Sequence, residues 1–235
     1  MKFFKVFIII FILNLSLDIY LNNVKEFSQF RLFSKPLITI LLAVFFYINS
    51  YTMQSRHRLL ILGALLSLCI GDTILLEGMP FYSFILGLAL FLVAMLCYSL
   101  YFYKQVRYDI DRLIPFLAAS LLISLSMIYL IFDSLNNLLI PVILYMATVL
   151  NFLKLAYLRY KNVNSLSYRL VFIGVILFTA AQILIALNRF HQTLPYKDTA
   201  IMSLYGISQL LIILGILSFK AQKESNPQED SFLMQ

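Results

Sequence analysis

Charge is scarce in this chain of 235 residues. Asp, Glu, Lys and Arg make up 12% of it, against 62% hydrophobic residues, and the mean hydropathy is +0.90. That balance excludes a soluble domain, whose single core could not hide so much apolar surface. Cysteine is limited to Cys69 and Cys97, both inside apolar runs. Neither has metal-ligand or redox spacing, which leaves helix packing as their role. Histidine is limited to His57 and His191, each close to an arginine at a predicted helix end. No second His, Cys or carboxylate stands at ligand spacing, so they read as interfacial anchors and no metal or cofactor is expected. The net charge of +7 is spread over the connections and not gathered into a patch. Nucleic acid is therefore not an expected partner; the membrane is, with the basic residues as topology signals and headgroup contacts.

What the chain has in place of charge is a series of apolar runs of roughly 17–22 residues, the length that crosses a bilayer as a helix. They predict helices over about 3–21, 36–52, 58–77, 81–103, 112–132, 137–157, 168–188 and 199–219. The expected fold class is all-α: a polytopic membrane protein of about eight transmembrane helices. Residues 1–220 then form a single integral-membrane helical domain and residues 221–235 a polar disordered tail. The N-terminus has the basic start and apolar core of a signal peptide. No small-x-small cleavage site follows before Asp18-Ile19-Tyr20-Leu21-Asn22-Asn23, so it is read as an uncleaved first helix.

Lysine and arginine orient the bundle. Lys25, Arg31, Lys35, Arg189 and Lys197 fall on one side, and the other 13 of the 18 basic residues fall on the side of the N-terminus. The positive-inside rule then makes both termini cytoplasmic, with the third and seventh helices running outward. A bacterial inner membrane is the expected location, from compactness and the lack of eukaryotic targeting tails. The short joints Glu77-Gly78-Met79-Pro80 and Asp133-Ser134-Leu135-Asn136 force antiparallel neighbours. A faint internal echo joins two helices four apart. Gly63-Ala64-Leu65-Leu66 lies in the one that reaches Asp72, and Gly174-Val175-Ile176-Leu177 in the one that reaches Gln182. It suggests two parallel four-helix halves with polar sites at similar depth.

Asp72 is the most informative residue. It interrupts the apolar run Leu59–Leu76, where a carboxylate costs about 2.5–3.5 kcal/mol even on the lenient insertion scale. Such a group faces a protein interior or a wet cavity and has a partner. Lys35, at the outer start of the second helix, is the candidate. Desolvation disfavours the charged form of a carboxyl group, which suits it to general-acid work. Other polar residues in the runs have plainer readings. Asn14, Asn151 and Gln209 suit interhelical hydrogen bonds, Lys154 can snorkel to the interface, and Asp18, Glu77 and Asn188 lie close enough to the outer boundary to be wet.

The segment Gly63-Ala64-Leu65-Leu66-Ser67-Leu68-Cys69-Ile70-Gly71-Asp72 is followed by Phe84-Ile85-Leu86-Gly87-Leu88-Ala89-Leu90-Phe91 and Ala94-Met95-Leu96-Cys97-Tyr98. With Arg31-Leu32-Phe33-Ser34-Lys35-Pro36-Leu37, Gly174-Val175-Ile176-Leu177-Phe178, Leu187-Asn188-Arg189-Phe190 and Tyr205-Gly206-Ile207-Ser208-Gln209-Leu210-Leu211-Ile212, it resembles the YhhN-like lysoplasmalogenase family. Order and spacing hold from about residue 31 to 215. Two positions depart from the family's usual pattern. Ala181-Gln182 stands where Ser-Asp is usual, and Ala94-Met95 where Ala-His is usual.

The resemblance implies hydrolysis of the vinyl ether of a lysoplasmalogen, with a lysophospholipid or plasmalogen-derived lipid as partner. Asp72 is then the catalytic candidate, as acid or cation stabiliser, by the logic of paired carboxylates in glycoside hydrolysis. Lys35, Arg31 and Arg189 could clamp a phosphate, Gln182 could orient water, and Tyr205 and Gln209 would complete the polar lining. The rival reading is a catalytically degenerate lipid-binding or sensing protein of the same fold. A small transporter is weakened by the lack of broken helices at matching positions.

Overall fold

A computed structural model describes residues 2–76, 81–106, 108–135, 138–193 and 195–225. Eight α-helices account for most of them: α1 Lys2–Asn23, α2 Arg31–Asn49, α3 Ser55–Ile74, α4 Phe81–Tyr103, α5 Ile110–Leu135, α6 Leu139–Leu158, α7 Ser165–Phe190 and α8 Lys197–Ser225. Among the described residues, each contains a stretch long and apolar enough to cross a bilayer. This is the architecture of a multi-pass integral membrane protein, since a helix satisfies its own backbone polar groups in hydrocarbon.

All eight predicted helices are present, and most run a few residues longer than their apolar cores. The largest difference at a helix start is at α2, which begins at Arg31 and carries Pro36 inside it. The apolar run predicts a start near residue 36, and proline is ordinarily favoured in a helix's first turn. A 3-10 turn, Lys25–Phe30, instead feeds directly into α2, and the helix tolerates the missing donor of Pro36. That extra turn places Arg31, Ser34 and Lys35 on a rigid helix. At the other end α8 continues to Ser225; the rest of the expected tail, and the joint 77–80, lie outside the described residues.

The packing order follows a ring. α1 packs on α2, α2 on α3, α3 on α4, α4 on α6, α6 on α7, α7 on α8, and α8 returns to α1 and α2; α5 lies outside, against α6 and α7. The echo seen in the sequence is present in these contacts. The pairs α1–α2, α2–α3, α3–α4 and α4–α6 match α5–α6, α6–α7, α7–α8 and α8–α2. Two seams break the correspondence among the described residues: α8 packs on α1, whereas α5 has no such contact with α4, and α5 packs on α7, whereas α1 has no such contact with α3.

Close approach of α7 and α8 depends on small residues. A Cβ on Gly174 would lie 2.9 Å from the carbonyl oxygen of Ser208, and one on Gly215 would lie 2.9 Å from the backbone nitrogen of Val171. Without a hydrophobic drive between helices in lipid, such backbone contact is the main source of packing energy. The bundle interior is aromatic-rich. Phe102 and Phe152 stack at 5.8 Å, and Phe178 meets Phe152 edge-on at 5.9 Å. These rings fill the middle of the bundle. The polar residues around Asp72 gather at the end where the odd-numbered helices finish; a second buried polar group, Arg159 with Gln105 and Ser167, lies at the opposite end.

Candidate functional site

Asp72 is near the last turn of α3 and only 2% exposed. The same helical stripe, Ala64, Leu65, Leu68, Gly71 and Asp72, faces the interior, so the carboxyl group cannot reach the lipid. Two side chains meet it. The Tyr205 hydroxyl of α8 donates to Asp72 Oδ2 at 2.6 Å. The Lys35 ammonium of α2 lies 4.0 Å from Asp72 Oδ1. Lys35 is thus the partner expected for this carboxylate, at the outer limit of an ion pair.

A second buried carboxylate stands behind the first. Asp18 of α1 is fully buried and is not the wet boundary residue that its position suggested. Ser34 Oγ donates to Asp18 Oδ1 at 2.6 Å, and Arg31 Nη2 lies 3.5 Å from Oδ2. Asn14, one turn deeper, donates through Nδ2 to the carbonyl oxygen of Ser34 at 3.0 Å. Asp18 and Arg31 both lie within electrostatic range of Asp72. Two acids and two bases therefore form one cluster across α1, α2 and α3. The signal for Asp18 was present in the chain. Phe7, Phe11, Asn14 and Asp18 recur at helical spacing, and all four are buried.

The cluster opens on a cavity of about 230 Å³. Arg31, Lys35, Asp72, Arg189, Asp198 and Tyr205 supply its polar wall, and Phe84, Phe91, Ile185 and Met202 are among its apolar lining. The chain turns needed for this are those that end α1, α3 and α7 and begin α2, α4 and α8. Arg189, in the last turn of α7, places its guanidinium 5.0 Å from the centre of the Phe84 ring. The arrangement suits a ligand with an anionic group and an apolar body, because three cations and two carboxylates share a pocket with aromatic walls.

A model of the YhhN family matches residues 30–216. The chain belongs to the YhhN family. No curated protein and no solved structure matches it.

For this YhhN-family chain, the bundle brings Lys35, Asp72, Arg189 and Tyr205 around one cavity, and leaves two of the named candidates elsewhere. Gln209 is fully buried one turn below Tyr205, where its Oε1 accepts from the Tyr98 hydroxyl at 3.1 Å. Gln182 faces away from Asp72. Its Oε1 accepts from the Tyr145 hydroxyl of α6 at 2.7 Å, and its Nε2 is buried without a partner. Gln182 lines a different cavity, between α4, α5, α6 and α7. Met95 is buried in the hydrophobic core. Glu77 lies outside the described residues. Among the described residues, no group of three or more His, Cys, Asp or Glu could hold a metal ion.

Proposed function

We propose that this protein is a lysoplasmalogenase-like membrane hydrolase, cleaving the vinyl ether of a lysoplasmalogen. The observation that carries the reading is Asp72, a buried carboxyl group touched by Tyr205 and Lys35 at the wall of a cavity that also receives Arg31 and Arg189. A vinyl ether is inert until its β-carbon is protonated. In this reading Asp72 delivers that proton: a C–H bond forms as the acid's O–H bond breaks, and the positive charge spreads over the α-carbon and the ether oxygen. The carboxylate left behind stabilises the oxocarbenium ion. Water then adds to the α-carbon and returns a proton to Asp72. The hemiacetal collapses as its C–O bond to glycerol breaks and its hydroxyl proton passes to the glycerol oxygen, releasing a fatty aldehyde and a glycerophospho-base. Tyr205 holds one oxygen of Asp72 and so aims the other into the cavity, while Arg31, Lys35 and Arg189 receive the phosphate.

With both termini on the cytoplasmic side, as the basic residues favour, the cavity faces outward; a bacterial inner membrane fits this arrangement. A second reading is a degenerate lipid binder of the same fold. It is favoured by Gln182, which puts no carboxylate on α7 and points to another cavity. Aldehyde release from a vinyl-ether lysolipid, measured on the purified protein and on Asp72→Asn, tests the proposal. Release by the wild type that is lost in the variant is the expected result. Full release by Asp72→Asn overturns the assignment of the acid, and lysolipid binding with no release by the wild type supports the second reading.

A further inference from the structure

The cavity that contains Gln182 is a slot walled by apolar side chains, among them Leu88 of α4, Ile123 and Met127 of α5, Val149 of α6, and Ile183 and Phe190 of α7. Its hydroxyl and carbonyl groups are turned back onto the protein, and the Gln182 Nε2 is its buried polar atom without a partner. Ser124 donates to the Ser120 carbonyl at 2.8 Å, Thr179 to the Val175 carbonyl at 2.9 Å, and Tyr145 to Gln182. The slot lies at a seam where the two halves differ. α8 packs on α1, but among the described residues α5 has no such contact with α4, so the slot can open sideways between them. On α7 it runs from Thr179 to Phe190, about 16 Å at the helical rise. That is close to one leaflet's share of a hydrocarbon core roughly 30 Å thick. At its upper end it adjoins the Asp72 cavity, because Phe84 and Ile185 line both.

We propose that this slot holds the single hydrocarbon chain of a lysophospholipid whose phosphate sits in the Asp72 cavity, the chain entering sideways between α4 and α5. The assignment rests on the lysolipid reading of that cavity, but not on hydrolysis. It gives the space beside Gln182 a function in place of a carboxylate at that position, and it explains why a one-chain lipid suits the site: a narrow slot of one leaflet's depth takes one chain.

The chain contains no tryptophan, so a single introduced Trp reports alone. Met146→Trp puts it on the slot wall, and Tyr129→Trp on α5 puts it at a position 85% exposed and outside the slot. The full-length protein in nanodiscs is titrated with lysophosphatidylcholine brominated along its chain, and separately with brominated diacyl phosphatidylcholine. Saturable quenching of Met146→Trp by the lysolipid, reversed by unbrominated lysolipid and several-fold stronger than by the diacyl lipid, is expected. The Tyr129→Trp signal should not saturate. Unsaturable quenching in both variants, or equal quenching by the two lipids, overturns the proposal. Ala186→Phe narrows the slot and should shift binding toward shorter lysolipid chains; an unchanged chain-length dependence also overturns it. Saturable quenching without aldehyde release would sink the hydrolase reading and leave the slot standing, and release without saturable quenching would do the reverse.

Discussion

The two halves of the bundle carry a polar pair at matching places and treat it differently. Asp72 and Gln182 stand at the same count from the first residues of their helices, Ser55 of α3 and Ser165 of α7. Each meets a side chain from the preceding even-numbered helix: Lys35 of α2 lies 4.0 Å from Asp72, and Tyr145 of α6 donates to Gln182 at 2.7 Å. The first joins a carboxyl group to an ammonium and has a further donor in Tyr205 and a second ion pair, Asp18–Arg31, behind it. The second is neutral, sits in an apolar slot, and has no carboxylate among the cavity's lining residues. A buried charge persists in a membrane only where partners and space are built around it. The first half has both. The second half has instead a hydrocarbon-lined space of similar depth.

Substitutions can break this contrast. The largest effect is expected from Asp72→Asn, which keeps the shape but cannot serve as acid. Aldehyde release should fall by about 10²–10⁴-fold, the range typical of a lost general acid. Retained release would make the charged pair structural. Next is Lys35→Met, which keeps the apolar stem and removes the ammonium. It should destabilise the bundle by about 3 kcal/mol, the low end for a broken buried pair because 4.0 Å is long. Denaturation in detergent measures it, and the double variant with Asp72→Asn should regain most of the loss. A double variant no more stable than Lys35→Met would show that the two residues are not coupled.

Smaller effects sharpen the contrast. Tyr205→Phe removes one donor to Asp72 and should lower aldehyde release about tenfold, the equivalent of one hydrogen bond to a charged group. Tyr145→Phe removes the corresponding donor to Gln182, where both partners are neutral. A stability loss of only about 0.6 kcal/mol is expected, as for an average interhelical hydrogen bond in a membrane. If thermal unfolding showed Tyr145→Phe to cost as much as Lys35→Met, the two pairs would be equivalent and the charge on the first would have no special weight.

Much of the fold was readable from composition alone. Eight apolar runs gave eight helices because the bilayer fixes the length each must have. The ends of the helices were less legible. The apolar run suggested a start near residue 36, whereas α2 begins at Arg31, directly after the 3-10 turn Lys25–Phe30. Within the site, Asp72 and Lys35 were visible as expensive charges in apolar surroundings. Asp18 was visible too, but its position near a helix end resembled a wet boundary; its burial depends on Ser34 and Arg31 arriving from α2. The family resemblance joined Gln182 to Asp72 in one site, and the sequence put the two at similar depth. Depth along a helix says nothing about the direction a side chain faces across the bundle.

The amino-acid sequence by itself determined the membrane architecture and the cost of placing Asp72 inside it, since both depend on local composition and on the thickness of the bilayer. The tertiary structure decided which residues share a cavity with that carboxylate. Tyr205 comes from 133 positions away, and α4 and α5, adjacent in sequence, do not pack together among the described residues. Contacts of that kind depend on how eight rods fit around one another, a property that no single helix carries.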